Sequence, residues 1–442
     1  MKKRTQPSKK TPLGPTTIQE TLCAMFPVKW LAKIARETGL IKRERKIKPA
    51  TLFWVLVLSF GVEMQRTLAS LKRSYQKQTR RTLSDGSWYE RFTPELVAFL
   101  KACVERGIAE LGSVNQRELG DRLKRFRDVL IKDSTVIRLH EKLAKRWPAS
   151  RTRKVAAGVK VSTLVSAVAN GPKSVVIHGE RTSEVKTLRI GPWVKDLVLL
   201  IDLGFFKYGL FARISENKGY FVSRLKANAD PLILRTLKTC VGNSLDLTEK
   251  RWSWIREALK RETVDAEVEL SFSRREYRGK KSKDTTIMRL VAIRNEETGE
   301  YHAYLTNIPP EMLTAEEIAA LYGMRWEIEL VFKELKSRYA LDMIKTTNPQ
   351  VVETLIWVAI LTMLVSRRLH HIIRLSTPAK KVARFTQLRW ATVFIENASD
   401  LLTAILSFIG VRKSLELIAS VYSSGAINPH ISRPAFTTEC WA

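Results

Sequence analysis

The residues most suited to chemistry lie in one stretch, Thr314–Tyr339 (TAEEIAALYGMRWEIELVFKELKSRY). The stretch reads as one long helix: Thr314 with Glu317 makes a capping box, acidic residues fill the first turn and basic ones crowd the end. At about 100° per residue, Leu321, Met324, Ile328, Val331, Phe332 and Leu335 gather on one side. Tyr322, Arg325, Glu329, Lys333 and Lys336 share the opposite side, within an arc of about 80°. That face sets a single carboxylate among three cations and a phenol. Taken alone it is an ordinary solvated stripe, with Arg325–Glu329 and Glu329–Lys333 pairs worth a few tenths of a kcal/mol each.

Two further carboxylates change that reading. Val129-Leu130-Ile131 opens a short apolar strand that ends at Asp133-Ser134-Thr135, and Lys195–Leu200 is a buried-strand run finishing at Asp202-Leu203-Gly204-Phe205. A carboxylate at the carboxyl end of a buried strand lies in the crevice where open α/β sheets bind ligands. Capping of the next turn explains one such aspartate, and explains two less well. Asp133, Asp202 and Glu329 together are the set that phosphodiester transfer needs. Hard oxygen ligands hold two Mg²⁺ (or Mn²⁺) ions, one activating the attacking hydroxyl and the other neutralising the leaving oxygen. The uncatalysed reaction is slow enough that the site must remove on the order of 20 kcal/mol of barrier.

The constellation resembles the DDE transposases, specifically the cut-and-paste insertion-sequence-four type, whose third carboxylate lies in a Y-x2-R-x3-E-x6-K (YREK) signature. Tyr322, Arg325, Glu329 and Lys336 complete that signature at the family's spacing. Asp133-Ser134-Thr135 looks like the family's first aspartate motif and Asp202-Leu203-Gly204-Phe205 like its second, D-x-G-[FY]. By motif the resemblance spans roughly Arg127 to Lys336. It implies a ribonuclease-H-like core, a DNA-binding helical amino-terminal domain, and metal-dependent cleavage with strand transfer. In that family a base near the cut is flipped onto an aromatic side chain of the insertion; Trp252 or Trp254 is placed to serve, and no motif fixes which.

The whole chain fits such a partner. Its 442 residues carry 76 Lys and Arg against 44 Asp and Glu, a formal charge of +32. So large an excess repels itself unless a polyanion shares the surface, which points to nucleic acid first and an acidic membrane second. Apolar residues make up 45% of the chain, enough to fold. Cys23, Cys103, Cys240 and Cys440 are scattered with no C-x-x-C pair, which fits a reducing compartment and argues against zinc ribbons or a disulfide framework. Met1–Gln19 carries three prolines and no apolar run, so it is not a signal peptide. The longest apolar runs, Thr51–Val62 and Thr354–Val365, are about a dozen residues each, short of the roughly 20 that cross a bilayer. They read as core helices of a soluble protein.

The expected class is α/β: a ribonuclease-H-like core interrupted by a β-rich insertion and flanked by helical regions. Residues 1–20 form a basic arm. Residues 21–125 are helical throughout (Leu31–Glu37, Thr51–Ser70, Pro94–Gly112) and grip DNA, with basic clusters at Lys42–Lys46 and Lys72–Arg81. The core comprises 126–225 and 308–375. Within it, Val159–Val168 and Lys173–Gly179 form a hairpin, and a helical stretch and the strand Tyr220–Leu225 follow Asp202. The insertion, 226–307, contributes Val264–Ser273, Thr286–Arg294 and Tyr301–Asn307, the first two joined by the basic loop Arg274–Lys283. Residues 376–442 are helical again, and His370-His371 reads as surface or phosphate-facing.

Asp133, Asp202 and Glu329 are then expected as metal ligands, and Tyr322, Arg325, Lys333 and Lys336 as contacts to DNA phosphates. The resemblance implies partners in double-stranded DNA, both the element's terminal inverted repeats and the target, a homodimer on paired ends, and no membrane. The matching location is a prokaryotic cytoplasm, at the nucleoid. A metal-dependent nuclease or resolvase without strand transfer would use the same carboxylates. An inactive transposase-derived DNA-binding protein would have lost one.

Overall fold

The computed structural model describes residues 17–43, 47–60, 67–79, 83–114, 118–150, 156–237, 246–274, 282–339, 341–342 and 344–406. Most of the expected amino-terminal arm, residues 44–46 and 80–81 of the two basic clusters, most of the 274–283 loop, Cys240 and everything after 406 lie outside these residues. The described residues open with six helices: α1 Thr17–Met25, α2 Val28–Glu37, α3 Pro49–Phe60, α4 Leu68–Thr79, α5 Asp85–Tyr89 and α6 Pro94–Val114. Of the helix expected over Thr51–Ser70, the part as far as Phe60 lies in α3 and Leu68–Ser70 in α4, while residues 61–66 lie outside the described residues.

Among the described residues nine strands follow in one mixed sheet: β1 Asp128–Leu139, β2 Ala157–Ser166, β3 Gly171–Gly179, β4 Leu197–Ile201, β5 Tyr220–Arg224, β6 Leu232–Thr236, β7 Thr263–Ser273, β8 Lys283–Arg294 and β9 Tyr301–Thr306. Helix α7, Tyr208–Glu216, links β4 to β5, and the short α8, Trp252–Ile255, precedes β7. The spatial order is β3-β2-β1-β4-β5-β9-β8-β7-β6. β1, β4 and β5 run parallel, while β1-β2-β3 and β5-β9-β8-β7-β6 are antiparallel meanders on either side. The β2–β3 turn places Asn170 at φ 51°, a left-handed position that asparagine tolerates.

The chain then returns to helix: α9 Ala315–Gly323, α10 Trp326–Ser337, α11 Pro349–Ser376, α12 Ala379–Val382, α13 Gln387–Glu396 and α14 Ala398–Leu406. α11 is 28 residues long and apolar enough to cross a membrane, yet most of it is buried within the fold. It packs chiefly on α6 and α3, and its Thr362 hydroxyl donates to the Val57 carbonyl of α3. The helices of both ends thus form one hydrophobic body on one face of the sheet. A second body, built on α7 and the insertion strands, covers the other face. His370 is not on the surface as expected: it is buried edge-on against Trp390 and beside Phe385.

Two buried ion pairs fix elements that bear on the site. Arg367 of α11 donates to Glu334 of α10, which also accepts from Tyr339. Arg289 of β8 forks onto Asp265 of β7 and donates to the carbonyls of Ile308 and Leu313, just ahead of α9. Buried charges are tolerated only when partnered in this way, and breaking one such pair costs about 3–5 kcal/mol.

Candidate active site

The stretch expected as one helix over Thr314–Tyr339 is two, α9 and α10, separated at Met324-Arg325. Thr314 and Glu317 complete the capping box of α9. After Gly323 the amides of Met324 and Arg325 bond three residues back, to Leu321 and Tyr322, before α10 resumes at Trp326. Glycine weakens a helix interior by about 1 kcal/mol, and the tightened turn follows it directly. The apolar side packs as the spacing predicts: Leu321, Ile328, Val331, Phe332 and Leu335 are buried, and Met324 lies against them.

Asp133 does not end its strand. β1 continues to Leu139 because it keeps an antiparallel partner, β2, as far as Ala157. What ends at this point is the parallel ladder with β4, whose last pair is Lys132 with Ile201. Asp133 is the next residue on β1 and Asp202 the first residue after β4, so the two stand where the parallel strands part, both facing Arg325 Nη1. Asp133 shares its side of β1 with Val129 and Ile131, the side on which α10 packs.

α10 and the turn before it bring the third carboxylate and a cation to this point. Arg325 Nη2 donates to Glu329 Oε1 at 2.5 Å, and Nη1 lies 3.4 Å from Asp133 Oδ2 and 3.9 Å from Asp202 Oδ1. Three carboxylates from β1, the end of β4 and α10 thus converge on one guanidinium. Its carbon also sits 6.0 Å above the Tyr322 ring, which rests in turn against Tyr304 of β9. Lys333 stands exposed one turn beyond Glu329, and Lys336 is half-buried a turn further on.

The electrostatics follow from this crowding. The Asp133 carboxyl is pushed up to about 6, first by burial and then by the charges of Asp202 and Glu184; the Ser134 amide and Arg325 pull the other way. Burial works against the charge on Arg325, but the Glu329 hydrogen bond and the surrounding acidic groups outweigh it and raise its pKa. Burial also drives the Tyr322 hydroxyl up to about 12, so it is a neutral hydrogen-bonding group at ordinary pH.

These donors suit a divalent cation in kind: hard carboxylate oxygens aimed at a spot that already draws positive charge. Among the described residues no three His, Cys, Asp or Glu side chains are grouped to hold an ion as they stand. The Arg325 guanidinium lies between the carboxylates.

A fourth carboxylate, not singled out by any sequence motif, adjoins the pair. Glu184 accepts from the Ser134 hydroxyl and pairs with Lys160 Nζ at 3.1 Å. A Cβ on Gly204 would sit 2.0 Å from Glu184 Oε2. The one available signal was the glycine of Asp202-Leu203-Gly204-Phe205, whose missing side chain leaves room for a neighbour that spacing alone could not name. In the insertion the structure separates the two tryptophans: Trp252 is 4% exposed and packed edge-on to Tyr301, and Trp254 is 67% exposed.

Residues 124–365, more than half of the chain, match the family model described as the transposase DDE domain. The transposase for insertion sequence element IS1151 of Clostridium perfringens is 24% identical over 362 residues, covering 74% of this chain and 75% of the relative. The transposase for insertion sequence element IS231F of Bacillus thuringiensis subsp. israelensis is 24% identical over 371 residues, 76% of each chain. A 73-residue stretch is 34% identical to the putative transposase InsL for insertion sequence element IS186A of Escherichia coli (strain K12), 16% of this chain and 20% of that one. With that domain matched over most of the sheet and through the residues that converge on Arg325, the chain belongs to the DDE transposase family, enzymes that act on DNA.

Proposed function

We propose that this chain is a transposase of the insertion-sequence-four type, cutting at the ends of its own element and joining them to target DNA. The observation that carries the reading is the convergence of Asp133, Asp202 and Glu329 on Arg325. The core is ribonuclease-H-like: three parallel strands, β1, β4 and β5, with an antiparallel hairpin on β1, support that assignment. Asp133, Asp202 and Glu329 would hold two Mg²⁺ or Mn²⁺ ions, which supply an activated hydroxyl nucleophile and charge neutralisation at the leaving oxygen.

The chain's own residues do the rest. Arg325 presents a two-pronged fork, the shape that recognises phosphate, and a phosphate drawing it aside would free the carboxylates it bridges. Tyr322, neutral and backed by Tyr304, orients that fork. Lys333 and Lys336 follow on the same side of α10 and hold the adjoining backbone. Trp254, exposed at the start of the insertion, is the aromatic that would stack a flipped base. Residues 21–125 grip the terminal repeats, and paired ends call for a homodimer at the nucleoid of a prokaryotic cytoplasm. The domain limits that go with this reading are 1–20, 21–125, 126–225 with 308–375, 226–307 and 376–442.

The second reading, a nuclease or resolvase without strand transfer, rests on the same carboxylates. Pre-cleaved element ends separate the two. Incubated with the protein, Mg²⁺ and a supercoiled target, they should appear covalently joined to target strands. Efficient cutting of intact ends with no joined product at any concentration would favour the nuclease.

A further inference from the structure

We propose that Glu184 is a positioning residue that sets the spacing between Asp133 and Asp202, and through it the affinity of the site for divalent cations. The proposal rests on reading those aspartates, with Glu329, as the ligands. One carboxylate touches the chain neighbours of both. Its Oε1 accepts from the hydroxyl of Ser134, next to Asp133, and its Oε2 packs on Gly204, two residues after Asp202.

The clamp lies on the far side of the sheet from Glu329. Ser134 and Lys132 share the face of β1 that carries Leu130, whereas Asp133 shares the face of Ile131 and α10. Glu184 therefore meets the site's backbone from behind, leaving the ligand side open. Its own turn, Glu184–Thr187, is tied to β2: the Thr187 hydroxyl donates to the Glu184 carbonyl at 2.7 Å and lies 3.2 Å from Ser162 Oγ. Burying a carboxylate here is costly unless it is partnered. Lys160 supplies a direct ion pair, and Lys132, only 2% exposed and set over the Phe205 ring, adds a second positive charge nearby.

The consequence is specific. Groups that orient metal ligands typically change cation affinity about 10–100-fold when removed. Mn²⁺ binding to the full chain, without DNA, is measured by titration calorimetry, with melting temperature recorded for every variant. Glu184→Ala and Gly204→Ala, the second forcing the Glu184 side chain aside, should each weaken Mn²⁺ by about 10-fold or more. Glu184→Gln, which keeps an acceptor for Ser134 and the same shape, should recover most of the affinity. If Glu184→Ala does not fold, Ser134→Ala removes one arm alone and should still weaken Mn²⁺ about threefold, less than removal of a whole orienting group. Folded Glu184→Ala and Ser134→Ala proteins that bind Mn²⁺ as tightly as wild type would overturn the proposal. Asp133→Asn and Asp202→Asn are measured alongside. If they too bind normally, the ligand assignment fails and the proposal falls with it; if they lose Mn²⁺ and the Glu184 variants do not, the proposal falls alone.

Discussion

Arg325 and Asp133 are separated by 192 positions in sequence, yet Nη1 of one lies 3.4 Å from Oδ2 of the other. The contact closes the sheet against the helix that bears Glu329, because the same guanidinium donates to Glu329 at 2.5 Å. If this were only a surface stripe, losing Arg325 would cost a few tenths of a kcal/mol and leave activity alone. As a fork that handles both carboxylates and phosphate, it should matter far more. Arg325→Ala should lower single-turnover cleavage by on the order of 100-fold, the effect of about 1 Å of misplacement. Arg325→Lys should rescue poorly, since an ammonium keeps the charge and loses the two-pronged geometry. Cleavage by Arg325→Ala within about twofold of wild type would remove Arg325 from the site.

The raised Asp133 carboxyl predicts a pH signature in the metal-free protein. Its folded pKa, about 6, lies above the ordinary 3.8. Between those values the folded chain holds more proton than the unfolded one, so stability falls as pH rises through the window and levels off above it. In the presence of chelator, wild type should lose on the order of 2 kcal/mol relative to Asp133→Asn between pH 4 and pH 6.5. Parallel stability curves for the two proteins would show that the Asp133 carboxyl is solvated rather than buried.

The two tryptophans of the insertion should respond oppositely. Trp252→Ala opens a cavity beside Tyr301 and should cost about 3–5 kcal/mol of stability. Trp254→Ala, at an exposed position, should leave the melting temperature nearly unchanged and slow cleavage of intact ends. An effect of Trp254→Ala on melting but not on cleavage would dismiss the stacking role.

DNA binding by the amino-terminal region is tested through salt. Neutralising Lys42, Arg43, Arg45 and Lys46 together should weaken binding of the element's ends and flatten its salt dependence, by about 0.9 log units of slope for each phosphate left without its cation. An unchanged slope would mean that this cluster faces solvent and that DNA is held elsewhere.

Much of this arrangement is legible in the chain. The period of Leu321, Ile328, Val331, Phe332 and Leu335 places Glu329 on the open side of its helix, and the apolar run before Asp202 places that residue at a strand end. Asp133 looks like a strand end too, because local sequence reports apolar runs, whereas β1 is prolonged through Ser134-Thr135 by pairing with β2. The break between α9 and α10 at Met324-Arg325 depends on a turn that hydrophobic period cannot register. Glu184 is invisible in sequence for a plainer reason: its partners Ser134, Lys160 and Gly204 come from three separate segments, and only the fold assembles them. Burial separates Trp252 from Trp254, which composition treats alike. His370 escapes a local reading for a similar reason, since its aromatic surroundings come from α13 and the segment before it.

If Asp133, Asp202 and Glu329 act as one cation-binding, bond-cutting set, that set is separate from the surfaces that hold DNA. The direct measurement is single-turnover cleavage of end-labelled element termini by Asp133→Ala, Asp202→Ala and Glu329→Ala, with end binding measured in parallel in Mg²⁺ and in Ca²⁺. Each variant should bind the ends within a few-fold of wild type and give no detectable cut product. Wild type in Ca²⁺, a larger ion with looser geometry, should likewise bind without cutting. Near wild-type cleavage by any one of the three variants would contradict the assignment for that residue, and would leave its approach to Arg325 as packing alone.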